Sequence, residues 1–208
     1  DGGTEIVKES LFPHLVLKKE QRDFLIQHPE LGKGTYCYHA DGSQCRHSSQ
    51  KHPNMTAQLQ GGYSKLAADL YITDLLNASG LEVDIITDDL LHQEGVELLN
   101  DYRVVMTGHH PEYYTHTMAD ALEQYLDDGG RWMYLGGNGY FWVTSSHGEL
   151  PGALEVRRPV ESYATRHRSQ SEMVSEFDGA DGGISWQANR PPHAVVGIGM
   201  DGNMHFLG

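Results

Sequence analysis

The sequence predicts an α/β domain whose parallel sheet is flanked by helices, of flavodoxin or glutamine-amidotransferase type, with an irregular N-terminal excursion and a β-rich C-terminal extension. Three observations predict it. From Ser64 onward, stretches of helical periodicity alternate with short apolar runs, the pattern of right-handed strand-helix-strand crossovers. Two of those runs, 104–107 and 131–135, end at glycine and then present polar side chains, as strands do at the carboxyl edge of an open sheet. The length, 208 residues with 38% hydrophobic content and three Trp, is enough for one real core.

Each element has its own signal. Residues 1–62 form the excursion: Pro13, Pro29, Pro53 and several glycines interrupt it, and only 18–27 has a helical pattern. The domain proper is expected over 63–208. Ser64 is a plausible N-cap, Ala67, Tyr71 and Leu75 recur at helical spacing, and Gly80 supplies a stop. Residues 81–87 form a β-branched run, hence a buried strand. A second helix is expected over 89–99 and the next strand over 102–107. The third helix, 115–127, carries Met118, Leu122 and Tyr125 on one face and ends at Gly129-Gly130; a strand over 131–135 follows. Beyond Trp142 the alternation stops. Residues 145–168 read as polar loop with Leu154-Glu155-Val156-Arg157 a short strand, and 193–198 reads as another strand.

One element is missing. A doubly wound sheet has a strand before its first helix. Ahead of Ser64 the sequence offers only Leu15-Val16-Leu17. Either that segment serves, or polypeptide outside the chain completes the sheet.

Charge and composition exclude several classes. A formal net charge of −14 opposes a nucleic-acid backbone and an anionic membrane surface alike. No run approaches the roughly 18 apolar residues of a membrane span, and no secretory signal is visible. A start at Asp-Gly-Gly without Met points to a processed or excised piece. Two cysteines, Cys37 and Cys45, are too few for a disulfide scaffold, which makes a reducing cytoplasm the expected location.

Familiar catalytic motifs are absent. A class I glutamine amidotransferase places a Cys nucleophile in the turn after its strand, where this chain has Gly108-His109-His110. Gly136-Gly137-Asn138-Gly139 lacks the Lys-Ser/Thr of a phosphate loop and the dinucleotide-binding spacing. No Gly-x-Ser-x-Gly elbow occurs. Thirteen histidines invite a metal reading, although most histidines are surface or capping residues. Cys37, His39, Cys45 and His47 form two Cys-x-His pairs that could hold zinc, at spacings that structural zinc sites do not use.

The strongest candidates are His110, Glu112 and Asn138, which two adjacent parallel strands would bring to one sheet edge. On residue chemistry alone, His110 and Glu112 equally suit a helix N-terminus, and Asn138 between glycines suits a left-handed turn.

The runs Leu81-Glu82-Val83-Asp84-Ile85-Ile86-Thr87-Asp88-Asp89-Leu90, Tyr102-Arg103-Val104-Val105-Met106-Thr107-Gly108-His109-His110-Pro111-Glu112-Tyr113-Tyr114 and Met133-Tyr134-Leu135-Gly136-Gly137-Asn138-Gly139-Tyr140-Phe141-Trp142-Val143 strongly resemble the large subunit of N,N-dimethylformamidase. Glu155-Val156-Arg157-Arg158, Gly182-Gly183-Ile184-Ser185-Trp186 and His39-x-Asp41-Gly42-Ser43 continue the resemblance, which covers most of the chain but only part of that subunit. It implies an amidohydrolase with a mononuclear Fe(III) held by two tyrosines and a glutamate. Glu112 matches the carboxylate ligand; Tyr36 matches one tyrosine, with Tyr38 as the fallback. His110 and Asn138 match the catalytic residues. The second tyrosine has no convincing counterpart, and for a further catalytic glutamate Glu176 is only a weak substitute. The resemblance further implies a small amide substrate, a small partner subunit and oligomeric assembly. Tyr113, Tyr140, Phe141 and Trp142 are candidate walls of an apolar pocket. The alternative from another class is a non-catalytic flavodoxin-like binding or scaffold module, or an incomplete fragment of such an enzyme.

Overall fold

The structure, a computed structural model, describes residues 19–28, 30, 45–52, 66–158, 173–185 and 188–197. In chain order these form helix α1 (Lys19–Gln27), strand β1 (His47–Ser49), helices α2 (Leu66–Ala78) and α3 (Asp88–Glu94), a 3-10 turn (Gly95–Leu98), strands β2 (Val105–Met106) and β3 (Tyr113–Tyr114), helix α4 (His116–Asp127), strands β4 (Trp132–Met133), β5 (Trp142–Ser146), β6 (Ala153–Val156) and β7 (Gly183–Ile184), and helix α5 (Pro192–Val196). The fold is mixed α/β.

The core follows from α4. Thr115 caps it, its hydroxyl accepting from the Met118 amide at 3.2 Å. The face bearing Met118, Leu122 and Tyr125 is buried, together with Ala119 and Ala121, against Leu91, Leu99, Tyr114, Tyr140 and Val143. Removing a fully buried Leu122 side chain from that cluster would cost roughly 2–5 kcal/mol.

Parallel pairing is confined to short ladders. α4 connects β2 to β4, and these pair in parallel with Val105 opposite Trp132 and Met106 opposite Met133. Tyr113-Tyr114 pairs in parallel with Trp142-Val143. Everything else is antiparallel: β5 with β6 and β7, and β6 with β1, giving a five-stranded sheet in the order β1-β6-β5-β3 with β7 also on β5. Thus the described residues form a largely antiparallel sheet beside a small parallel pair, and the expected flavodoxin-like parallel sheet is not what they show.

Several expectations need correction. Residues 81–87 carry no strand, and Leu81, Val83 and Ile85 are exposed; a β-branched run needs a neighbour to become a strand. Residues 193–198 were expected as a strand, but Pro192–Val196 is helical. Pro192 sits at the first helical position, and Gly197 ends the turn at φ 75. The second helix breaks early because Gly95 takes φ 63. Gly80, at φ 68, stops α2 as read, whereas the proposed cap Ser64 lies outside the described residues, as does Leu15-Val16-Leu17.

Candidate active site

β2 and β4 deliver their following loops to the same edge. After β2, Gly108 admits the Asp69 carboxylate of α2, whose Oδ1 would lie 2.6 Å from any added Cβ. Asp69 accepts from the His109 amide at 2.9 Å and stands 3.0 Å from its ring Nδ1. The loop after β4 packs on this turn. A Cβ on Gly136 would meet the His109 carbonyl, and one on Gly137 would meet His110 Cδ2 at 3.1 Å. The absence of a side chain at Gly136 is therefore a packing requirement, while at Gly137 the His110 ring would have to give.

This contact brings His110, Glu112 and Asn138 together. Asn138, in the left-handed region at φ 50, donates from Nδ2 to Glu112 Oε1 at 3.5 Å. His110 Nδ1 stands 3.5 Å from Glu112 Oε2. Both distances are at the outer limit of hydrogen bonding, and the Trp142 side chain hydrogen-bonds the same carboxylate. The backbone beneath it is held firmly: the Glu112 amide donates to His110 O, and its carbonyl accepts from the Phe141 and Trp142 amides, each at 2.9 Å. The Tyr140 amide adds a 2.7 Å bond to Pro111 O.

The surroundings tune the charge. Burial raises the Glu112 carboxyl above its ordinary range; the bond from Asn138 and the positive charge of Arg158 pull it partly back. Arg158, itself buried, donates to Tyr113 Oη at 3.3 Å and lies over the Trp142 ring at 5.2 Å. A carboxylate offers hard oxygen donors, the kind that hard cations take. Tyr36 and Tyr38 lie outside the described residues.

Of the four expected pocket aromatics, Tyr140 and Trp142 belong to the core instead, 6% and 1% exposed. Burial pushes the Tyr140 phenol far up. Tyr113 and Phe141 are half-buried at the site edge. A cavity of about 270 Å³ lies nearby, between α3, β3 and β5, sharing Tyr113 with the cluster but not Glu112. His92 and Thr115 face each other there, 2.9 Å apart.

A second polar cluster was not read from the sequence. His47, Glu155 and Glu176 place candidate ligand atoms within 4.8 Å of one another. A cation is, however, already among them: buried Arg157 ion-pairs with Glu155, and its Nη2 stands 3.3 Å from Glu176 Oε1. Ser175 and the Phe177 amide donate to the other Glu155 oxygen at 2.6 and 3.0 Å. A resident guanidinium repels a metal ion, so the buried Glu155–Arg157 pair, with the exposed Glu176 and His47 at its rim, reads as an ion-pair network. Of the Cys/His zinc set, Cys37 and His39 are outside the described residues. Cys45 is buried, and His47 stacks on Phe177 at 4.8 Å. Among the described residues no helix is long and apolar enough to cross a membrane.

Comparison with known proteins gives one family. Residues 28–206 match the model described as N,N-dimethylformamidase beta subunit-like, C-terminal. The chain is 44% identical over 174 residues to the N,N-dimethylformamidase beta subunit of Paracoccus aminophilus, covering 81% of this chain and 23% of that subunit. It has the same identity and coverage with the N,N-dimethylformamidase beta subunit of an Alcaligenes species. The chain thus spans under a quarter of the length of these relatives.

Proposed function

The chain belongs to the N,N-dimethylformamidase beta subunit-like, C-terminal family, and on that premise we propose that it carries part of the catalytic centre of an iron-dependent amidohydrolase acting on small N-substituted formamides. The observation supporting this is the convergence of His110, Glu112 and Asn138 from two loops onto one half-buried carboxylate. Dimethylformamide, giving formate and dimethylamine, is the substrate we propose first.

In this reading Glu112 holds a mononuclear Fe(III), with Tyr36 or Tyr38 supplying a phenolate. When bound, such an ion polarises an amide carbonyl and acidifies water. The chain's own residues do the rest. Asn138 Nδ2 donates to the oxygen that gains negative charge as the amide carbon becomes tetrahedral. His110 moves the proton that the leaving amine requires. Asp69 fixes the His109 turn from which His110 projects. We further propose that residues 1–62 are an excursion from the domain of 63–208, that a small partner subunit and a second copy complete the assembly, and that zinc at the Cys/His stretch is the lesser metal alternative.

The test is iron and zinc content of the purified chain with its visible spectrum, followed by NMR detection of formate from dimethylformamide. The reading expects iron with a tyrosinate charge-transfer band, lost in Glu112→Ala. Absence of iron uptake by the unaltered chain, alone and within a longer polypeptide, would sink it. The alternative reading is a non-catalytic binding or scaffold module, or an incomplete fragment of such an enzyme.

A further inference from the structure

Asn138-Gly139 is the one Asn-Gly pair in the sequence. Such a pair carries its own chemistry. The amide nitrogen after an asparagine can attack the side-chain carboxamide, and glycine, lacking a side chain, hinders that attack least. Asn77 and Asn189 are followed instead by Ala78 and Arg190, whose side chains shield the nitrogen.

Packing leaves no other choice at 139. A Cβ on Gly139 would lie 2.3 Å from the Tyr134 ring and from its Oη. That ring stands edge-on to Trp132 at 6.1 Å, and Trp132 stands edge-on to the core residue Tyr140 at 5.4 Å. Position 138 is constrained separately. Its backbone is left-handed at φ 50, a conformation that asparagine adopts more readily than most residues. Two unrelated local demands thus force the reactive pair.

The same contacts hold the reaction off. Gly139 is buried, and its amide donates to Tyr134 Oη at 3.0 Å. The nitrogen reacts only after its proton is gone, and a buried proton shared with a phenol oxygen is reached by solvent base only when the structure opens locally. The Asn138 carboxamide is engaged as well, Nδ2 donating to Glu112 Oε1 at 3.5 Å. Attack needs the nitrogen and the carboxamide carbon about 3–3.5 Å apart and aligned, so both groups must be released together.

We infer that Asn138-Gly139 is a latent deamidation site, kept as the amide by the hydrogen bond from the Gly139 N–H to the Tyr134 hydroxyl. When that bond opens, hydroxide takes the Gly139 amide proton and becomes water. The nitrogen then bonds to Asn138 Cγ and the Cγ–Nδ2 bond breaks. Nδ2 leaves as ammonia with a proton from water, which regenerates hydroxide. Water opens the resulting cyclic imide at either carbonyl, giving aspartate or isoaspartate at 138. The product sets a second carboxylate beside Glu112 where a donor stood, a like-charge pair in a half-buried place. Nothing in this chemistry depends on the catalytic reading.

The test incubates the chain in mildly alkaline water labelled in its oxygen and follows the tryptic peptide 132–157 by mass spectrometry. Conversion in the folded chain should be slower than in urea by about 10-fold or more, the scale of one hydrogen bond that must open first. Tyr134→Phe, which keeps the ring and removes the acceptor, should recover most of that difference while folded. Leu122→Ala loosens the core and leaves the Tyr134 hydroxyl in place, so it separates loss of the acceptor from general unfolding. Equal rates in the folded and unfolded chain would overturn the proposal. So would a Tyr134→Phe protein that converts no faster than the unaltered chain, or a Leu122→Ala protein that converts as fast as Tyr134→Phe.

Discussion

Asn138 donates from its carboxamide to Glu112 across the whole β2–α4–β4 crossover, at 3.5 Å from Oε1. Its backbone is left-handed, at φ 50, so conformation and chemistry are both demanded of one residue. Two substitutions separate these demands. Asn138→Gly should keep the unfolding midpoint close to that of the unaltered chain, while Asn138→Ala should destabilise by about 1 kcal/mol. In the proposed enzyme both should lower kcat by 10²–10³-fold, as removal of an oxyanion donor does. An Asn138→Gly protein with undiminished kcat would reduce the residue to a turn former.

Glu112 is half-buried and its acid form is favoured by burial. Glu112→Gln, which leaves the volume unchanged, should therefore fold at least as stably as the parent in metal-free buffer, while in the proposed enzyme the iron bound per chain should fall to background. Urea unfolding and metal analysis on the same samples check both halves. A clearly destabilised Gln variant would mean that the charge supports the fold.

The ion pair of Arg157 with Glu155 lies in the interior, both residues 1% exposed. Arg157→Met leaves Glu155 buried without its guanidinium and should cost about 3–5 kcal/mol. Adding Glu155→Gln should recover a large part of that. Urea midpoints of the two single variants and the double variant decide it: simple additivity would show that the two side chains are not coupled.

Tyr140 sets an alkaline limit. Its phenol titrates above the ordinary value of 10.0 in the fold. The folded state therefore holds a proton that the unfolded chain releases, and stability present below about pH 10 declines as pH rises further. Tyr140→Phe should lose less stability between about pH 8 and pH 10.5 than the parent, measured by urea unfolding at each pH. An identical decline would assign the effect to other groups, such as Tyr114, which burial also raises.

Local signals carried far where one element decides its own fate. α4 was legible because its cap Thr115 and the stripe Met118, Leu122, Tyr125 lie within one stretch of sequence. The meeting of His110, Glu112 and Asn138 was legible because two strand ends of a parallel pair must share an edge. What depends on a distant partner was not. Residues 81–87 read as a strand, yet among the described residues no neighbour pairs with them. Residues 193–198 looked β-branched, while the prolines at 191 and 192 and Gly197 shape a helical turn. Buried Glu155, Arg157 and Arg158 were hidden by their polarity, since charge normally signals the surface. The clue available was a strand-like run in which ionic residues occupy both faces.

The three backbone bonds at Glu112 have a consequence for heat and entropy. A ligating group on a loose loop surrenders motion when an ion arrives, whereas this peptide unit is already held by three backbone bonds, so the proposed metal role would meet a pre-formed main chain. In the proposed enzyme, capture at the carboxylate would draw on desolvation and side-chain rotation, with little freezing of main chain. Calorimetry of metal uptake should accordingly lack the large negative heat-capacity change that accompanies folding upon binding.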